Sequence, residues 1–298
     1  MTYQRERWRG FPCVLMFAGL LAGCGNTPPP ITVGSLNSTE QMILSEIVAQ
    51  HLEHRLGRKI DRSPNLGGSL NAFQALQNGQ ISLYPEYTGA IITEVLKEQP
   101  SPDPTLVYER ARGEMRRIAQ SELLSPLGFD NGFVAVIRSD DPRAAKVSNL
   151  SEAAQAGEGW KLGASIEFQQ LADGLPSLMQ YKLPMASAPR SMDGELLLKA
   201  LEQKSLSMVV ARATDGILTL KDWKTLRDDR NHFAPRQASL LVRQSISSTQ
   251  PGLLPALREL SGKINVEKMR TMNAQVDIAH LPPAQVAASF LAASGLSK

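Results

Sequence analysis

The chain has 298 residues, 42% of them hydrophobic and 20% charged, with 22 Gly and 19 Pro. That length makes one large or two ordinary domains, and a near-average apolar fraction with a net charge of only +3 excludes a disordered, collagen-like or coiled-coil chain. The 32 Lys and Arg are matched by 29 Asp and Glu, with no basic run in the body of the chain, which argues against a nucleic-acid partner.

Arg5, Arg7 and Arg9 precede an apolar run, Phe11–Leu21. That run is too short to span a bilayer, which takes about 20 residues. Positive, apolar, small is the order of a secretory signal, and Leu21-Ala22-Gly23-Cys24 resembles the lipobox of bacterial lipoproteins. The resemblance implies that residues 1–23 are removed and that Cys24 carries a diacylglycerol. Two or more acyl chains then hold the protein to a membrane surface. Residues 24–30 end in Pro28-Pro29-Pro30 and read as a flexible tether. Losing residues 1–23 removes three Arg and one Glu and leaves a net charge of +1. Cys13 goes with the signal and Cys24 to the lipid, so the body holds neither free thiol nor disulfide. No other apolar run suggests a transmembrane helix.

The body alternates strands and helices. Ile31–Ser35 reads as a strand, and Ser38 or Thr39 caps a helix through Leu56, stopped by Gly57. Lys59–Arg62 is extended, Asn65-Leu66-Gly67-Gly68-Ser69 turns into a helix over Leu70–Asn78, and Ile81–Tyr84 is a strand. Helices follow at Ile91–Lys97 and Tyr108–Leu123, around a loop marked by Pro100, Pro102 and Pro104. Next come a strand at Phe133–Ile137, a helix at Leu150–Ala156, a strand at Lys161–Ala164, helices at Gln170–Tyr181 and Gly194–Gln203, and a strand at Ser207–Ala211. The strand Ala238–Val242 precedes closing helices near Leu253–Ser261, Val266–Val276 and Pro283–Ser294. This order predicts an α/β fold with mostly parallel sheets.

Enzyme constellations are missing. His51 and His54 sit three apart on a helix, both reading as solvent-facing, with no third metal ligand near. There is no Gly-x-Ser-x-Gly elbow and no phosphate-cradling loop of the Walker type. Asp140-Asp141 and Asp228-Asp229 read as solvated loop carboxylates. An exported α/β chain without a nucleophile and base is expected to bind a solute, without catalysis or cofactor.

Three segments then carry a family likeness: Gly34-Ser35-Leu36-Asn37-Ser38-Thr39-Glu40-Gln41, Asn65-Leu66-Gly67-Gly68 and Tyr84-Pro85-Glu86-Tyr87-Thr88-Gly89. It continues in order through Leu127–Asn131, Glu167-Phe168, Asp173-Gly174, Met192-Asp193, Ala213–Gly216, Asp228–Arg230, Phe233–Pro235 and Val276-Asp277. Together they resemble the substrate-binding lipoproteins of glycine betaine, choline and carnitine (osmoprotectant) ABC importers. The resemblance covers residues 31–296 and implies a two-lobed, flytrap-like periplasmic-binding-protein fold of type II, in which the chain crosses between lobes twice. The crossings are expected near Phe133–Val134 and Gln237–Ala238. Lobe one is then 31–133 plus 238–298, and lobe two is 134–237. It also implies a small solute in the cleft, an ABC permease with its separate ATPase subunit as partners, and a place on the periplasmic side of the cell envelope.

The family holds a quaternary ammonium in a cage of tyrosines, because ring faces attract a cation that cannot donate a hydrogen bond. Motif matching puts Tyr87 at one cage position, but Phe133, Arg212 and Arg236 at the other three. Leu36 and Leu171 stand where the family carries basic residues. Asn131 and Thr88 are further polar candidates. Two guanidinium groups in place of rings would repel a quaternary cation by roughly 4 kcal/mol each at about 4 Å. The ligand is therefore expected to carry a carboxylate, as an anion or a zwitterion; the alternative is that both arginines reach out of the cleft and the family ligand binds weakly. The rival from another class is a ligand-sensing protein that feeds a signalling partner.

Overall fold

The computed structural model describes residues 1–2, 29–157, 159–220 and 222–297. The expected signal segment beyond Thr2, the lipidation site Cys24 and the tether up to Pro28 lie outside the described residues. No helix among the described residues is long and apolar enough to cross a membrane.

The first stretch runs β1 (Thr32–Gly34), α1 (Thr39–Leu56), β2 (Asp61–Ser63), α2 (Ser69–Gln77), β3 (Leu83–Tyr87) and α3 (Thr88–Ala90). A π-helical turn, Ile91–Val95, extends α3, and α4 (Pro104–Ala119) and β4 (Ser121–Leu123) follow. The middle stretch holds β5 (Phe133–Arg138), α5 (Leu150–Gln155), β6 (Leu162–Ala164), α6 (Ile166–Gln170), α7 (Leu175–Met179) and β7 (Arg190–Ser191). It continues with α8 (Gly194–Glu202), β8 (Met208–Arg212), a 3-10 turn at Gly216–Thr219 and β9 (Trp223–Leu226). The chain ends in β10 (Ala238–Arg243), α9 (Gln244–Thr249), α10 (Leu253–Arg258), α11 (Val266–Asp277) and α12 (Pro283–Ala293).

Local chemistry explains the boundaries that matter. Ser38 starts α1 by accepting the Gln41 N–H at 3.3 Å, and Gly57 ends it in the left-handed region at φ 63°. Asp103 caps α4 on the Thr105 N–H at 2.8 Å, with Pro104 at its first position.

Two five-stranded sheets form, ordered β2-β1-β3-β10-β4 and β7-β6-β8-β5-β9. The expectation of mostly parallel sheets needs correcting. β1 runs parallel to β2 and β3, but β10 is antiparallel to both β3 and β4. Likewise β6 is parallel to β7 and β8, while β5 is antiparallel to β8 and β9. The strands that follow each crossing, β5 and β10, enter their sheets in the reverse direction. Alternate strand residues feed opposite faces, so each sheet is covered on both sides by its own apolar cluster. The result is two three-layered lobes. The first crossing lies at Asn131–Gly132, because Phe133 already pairs with Arg212 in the second sheet. The second ends at Gln237, which bridges Asp130.

Candidate solute-binding cleft

The two crossings are fastened side by side. Asp130 Oδ1 accepts the Gly132 N–H at 2.7 Å, and its Oδ2 accepts the Arg236 N–H at 2.8 Å. The Asn131 N–H donates to the Arg236 carbonyl at 2.9 Å. Thr88, fully buried, donates its N–H to the Gln237 carbonyl at 3.0 Å and accepts the Gln237 N–H on Oγ1 at 3.1 Å. Its hydroxyl is thus spent on the second crossing and is not part of the cleft lining.

Above the crossings lies a cleft of about 610 Å³ with walls from both lobes. One wall is built on Phe133. Arg212, opposite it in the β-ladder, holds its guanidinium 3.9 Å over the Phe133 ring, and Arg236 sits 5.5 Å away. The ring packs edge-on against Phe168 at 4.7 Å and Phe233 at 5.9 Å. Phe133 is therefore a cushion under the guanidinium groups and is itself buried. Both cations have counter-ions. Arg212 donates to Glu167 at 2.7 Å, while Arg236 reaches Glu94 of lobe one at 3.2 Å and Asp173 of lobe two at 3.3 Å. Burial, then the neighbouring Arg236, lower the pKa of Arg212. Burial also pulls on Arg236, but Asp173 and Glu94 outweigh it and raise that group above its ordinary value.

The rest of the lining is acidic. Glu40, in the first turn of α1, accepts hydrogen bonds from the Tyr87 hydroxyl, from Asn131 Nδ2 at 2.6 Å and from Asn273 Nδ2 at 3.1 Å. Asp277, at the end of α11, accepts the Thr39 hydroxyl at 2.6 Å. Asp215 comes from lobe two and accepts the Arg212 N–H at 2.9 Å. Burial pushes its pKa up to about 6; the Arg212 N–H and charge oppose the rise, and the charges of Glu40 and Asp277 add to it. Among the described residues none of these three carboxylates forms an ion pair, whereas both guanidinium groups do. The lining thus carries five carboxylates against two guanidinium groups.

Tyr87, Asn131, Arg212 and Arg236 all stand at this cleft, and so does Leu36. Leu171 instead packs against the lobe-two core. Sequence reasoning left Glu40, Glu94, Asn273 and Asp277 without a role at the cleft. Glu40, Asp215 and Asp277 sit in the segments that carried the family likeness, which was the available signal. His51 needs correcting. It is fully buried, with ring nitrogens 2.9 Å from the Ala256 carbonyl and 3.3 Å from that of Leu296, and burial lowers its pKa. No group of three His, Cys, Asp or Glu that could hold a metal is found among the described residues.

Two sheets, two crossings and a polar cleft between lobes define a solute-binding protein of the periplasmic type. The family model for the substrate binding domain of ABC-type glycine betaine transport systems matches residues 29–293, and the chain belongs to that family. The family comprises solute receptors of transporters, not enzymes. The chain is 30% identical over 270 residues to the ergothioneine transport permease/ergothioneine binding protein of Helicobacter pylori strain G27, across 90% of this chain and 48% of that one. It thus spans about half the length of that relative. It is 27% identical over 290 residues to the glycine-betaine-binding protein of Pseudomonas aeruginosa, across 93% and 92% of the two chains. A solved structure described as a glycine betaine/carnitine/choline ABC transporter matches with a TM-score of 0.82 at 25% identity, covering 90% of this chain and 100% of that one.

Proposed function

We propose that the chain is the extracytoplasmic receptor of an ABC importer, tethered to the membrane through Cys24, that hands a small zwitterionic solute to a permease driven by a separate ATPase subunit. The two-signed cleft is the observation that carries this reading. Arg212 faces a carboxylate, because its present partner Glu167 is an exposed side chain that a ligand carboxylate can replace. The unpaired acids face a positive nitrogen. Shutting the lobes over such a solute sets an opposite charge against both kinds of group at once, and a ligand closes a hinge only through its extra affinity for the closed form.

Calorimetric titration with glycine betaine, carnitine, choline and simple carboxylates tests the site. Solutes carrying both charges are expected to bind more tightly than choline, which lacks the carboxylate, and more tightly than acetate, which lacks the cation. Tighter binding of choline than of betaine, or no binding of any zwitterion, refutes the proposal. The anchor has its own test. Cys24→Ala should abolish incorporation of labelled fatty acid and release the protein from the membrane fraction.

A further inference from the structure

Resting on that reading, we propose that the cationic group of the solute carries hydrogens on nitrogen, as a protonated amine, amidinium or guanidinium does, and that Glu40, Asp215, Asp277 and Asn273 select for those hydrogens. A quaternary ammonium offers no donor, so a site for it is built of ring faces. Here the acidic lining presents a single ring, Tyr87, and its hydroxyl is turned onto Glu40. Phe133 lies beneath Arg212. What the lining does present is hydrogen-bond acceptors.

Asn273 makes the case specific. Its Nδ2 lies 2.8 Å from the Thr214 carbonyl and 3.1 Å from Glu40 Oε2, so both acceptors fix which end of the amide is the nitrogen. Oδ1 is the end left over. It is buried and has no donor among the described residues, in a residue only 4% exposed. An acceptor left in that state is costly, and a donor from outside the chain removes the cost. Among the described residues, Asp215 and Asp277 each accept on one oxygen, leaving the other for a ligand. Thr214 and Asp215 belong to lobe two, and Glu40, Asn273 and Asp277 to lobe one. Like charges therefore face each other across the line of closure, and a cation bridging them offsets their repulsion. Among the described residues these carboxylates form no group of three that could hold a metal ion.

The test uses matched pairs that differ only in N-methylation, titrated into the full chain: glycine against glycine betaine, γ-aminobutyrate against its trimethyl betaine, and histidine against its α-trimethyl betaine. A charged hydrogen bond made by one member only is worth about tenfold in affinity, so the unmethylated member should bind about tenfold more tightly in the pair that fits the cleft. Asn273→Ala and the milder Asp277→Asn, at an exposed position, should each shrink that ratio toward one; a purely structural role would weaken both members equally. Tighter binding of the trimethylated members overturns the inference and leaves the receptor reading standing. Failure of every member to bind overturns both.

Discussion

Glu86 shows how a single buried carboxyl links stability to pH. It lies fully buried on β3 and accepts the Tyr87 N–H at 2.8 Å and the Ser69 and Tyr84 hydroxyls at 3.2 Å each. Burial raises its pKa to about 7; these donors oppose the rise and the charge of Glu94 adds to it. A carboxyl whose pKa is raised on folding contributes stability that is intact below its unfolded value and fades as pH climbs through its folded value. Between pH 4.5 and 7 the contribution lost is about 3 kcal/mol. Glu86→Gln is therefore expected to gain about that much stability relative to the unaltered protein between pH 4.5 and pH 8 in urea titrations; parallel pH profiles would contradict the assignment. At this scale Tyr87, Arg212 and Asn131 were legible because their motif neighbours pin their positions. Asn273 and Glu94 were not, since nothing in their flanks says that α11 and a π-helical turn meet over the same cavity.

Among the elements, the expected helix over Gln170–Tyr181 shrinks to α7, with α6 ending at Gln170 where it was to begin, and Gly174 stands at the join. A Cβ there would stand 1.9 Å from the Phe168 carbonyl oxygen. Gly174→Ala should therefore push α6 away from α7, disturb the Phe168–Phe133 contact and lower stability by about 1–3 kcal/mol in denaturant unfolding; an unchanged midpoint would show that the break has another cause. The π-helical turn Ile91–Val95 has a different use. It carries Glu94, which reaches Arg236, and such turns often mark functional positions. Neither feature shows in periodicity, because one added residue per turn leaves an apolar run looking helical. The strands β4, β7 and β9, of two to four residues, were equally hidden. So few positions cannot display alternation, and their place in the sheets comes from pairing with longer neighbours.

Across the whole molecule, Arg236 joins both lobes through Glu94 and Asp173 while almost fully buried. Removing one partner of a buried pair strands the other charge, at about 3–5 kcal/mol. Arg236→Leu should cost that much in urea unfolding and enlarge the unloaded protein in small-angle scattering. Adding Asp173→Leu should restore most of the stability without restoring the compactness; recovery of neither would mean that the damage is packing, not charge. The sequence showed two lobes and two crossings through the ordered family segments. The reversed strands that follow the crossings were beyond it, because strand direction depends on where the chain re-enters a sheet. Asp130 then has a larger meaning. With one amide from each crossing held on a single carboxylate, the two connections behave as one axle instead of two loose straps. Any guest in the cavity is translated into one rotation angle, so two solutes of equal girth would look the same from outside, however different their chemistry within.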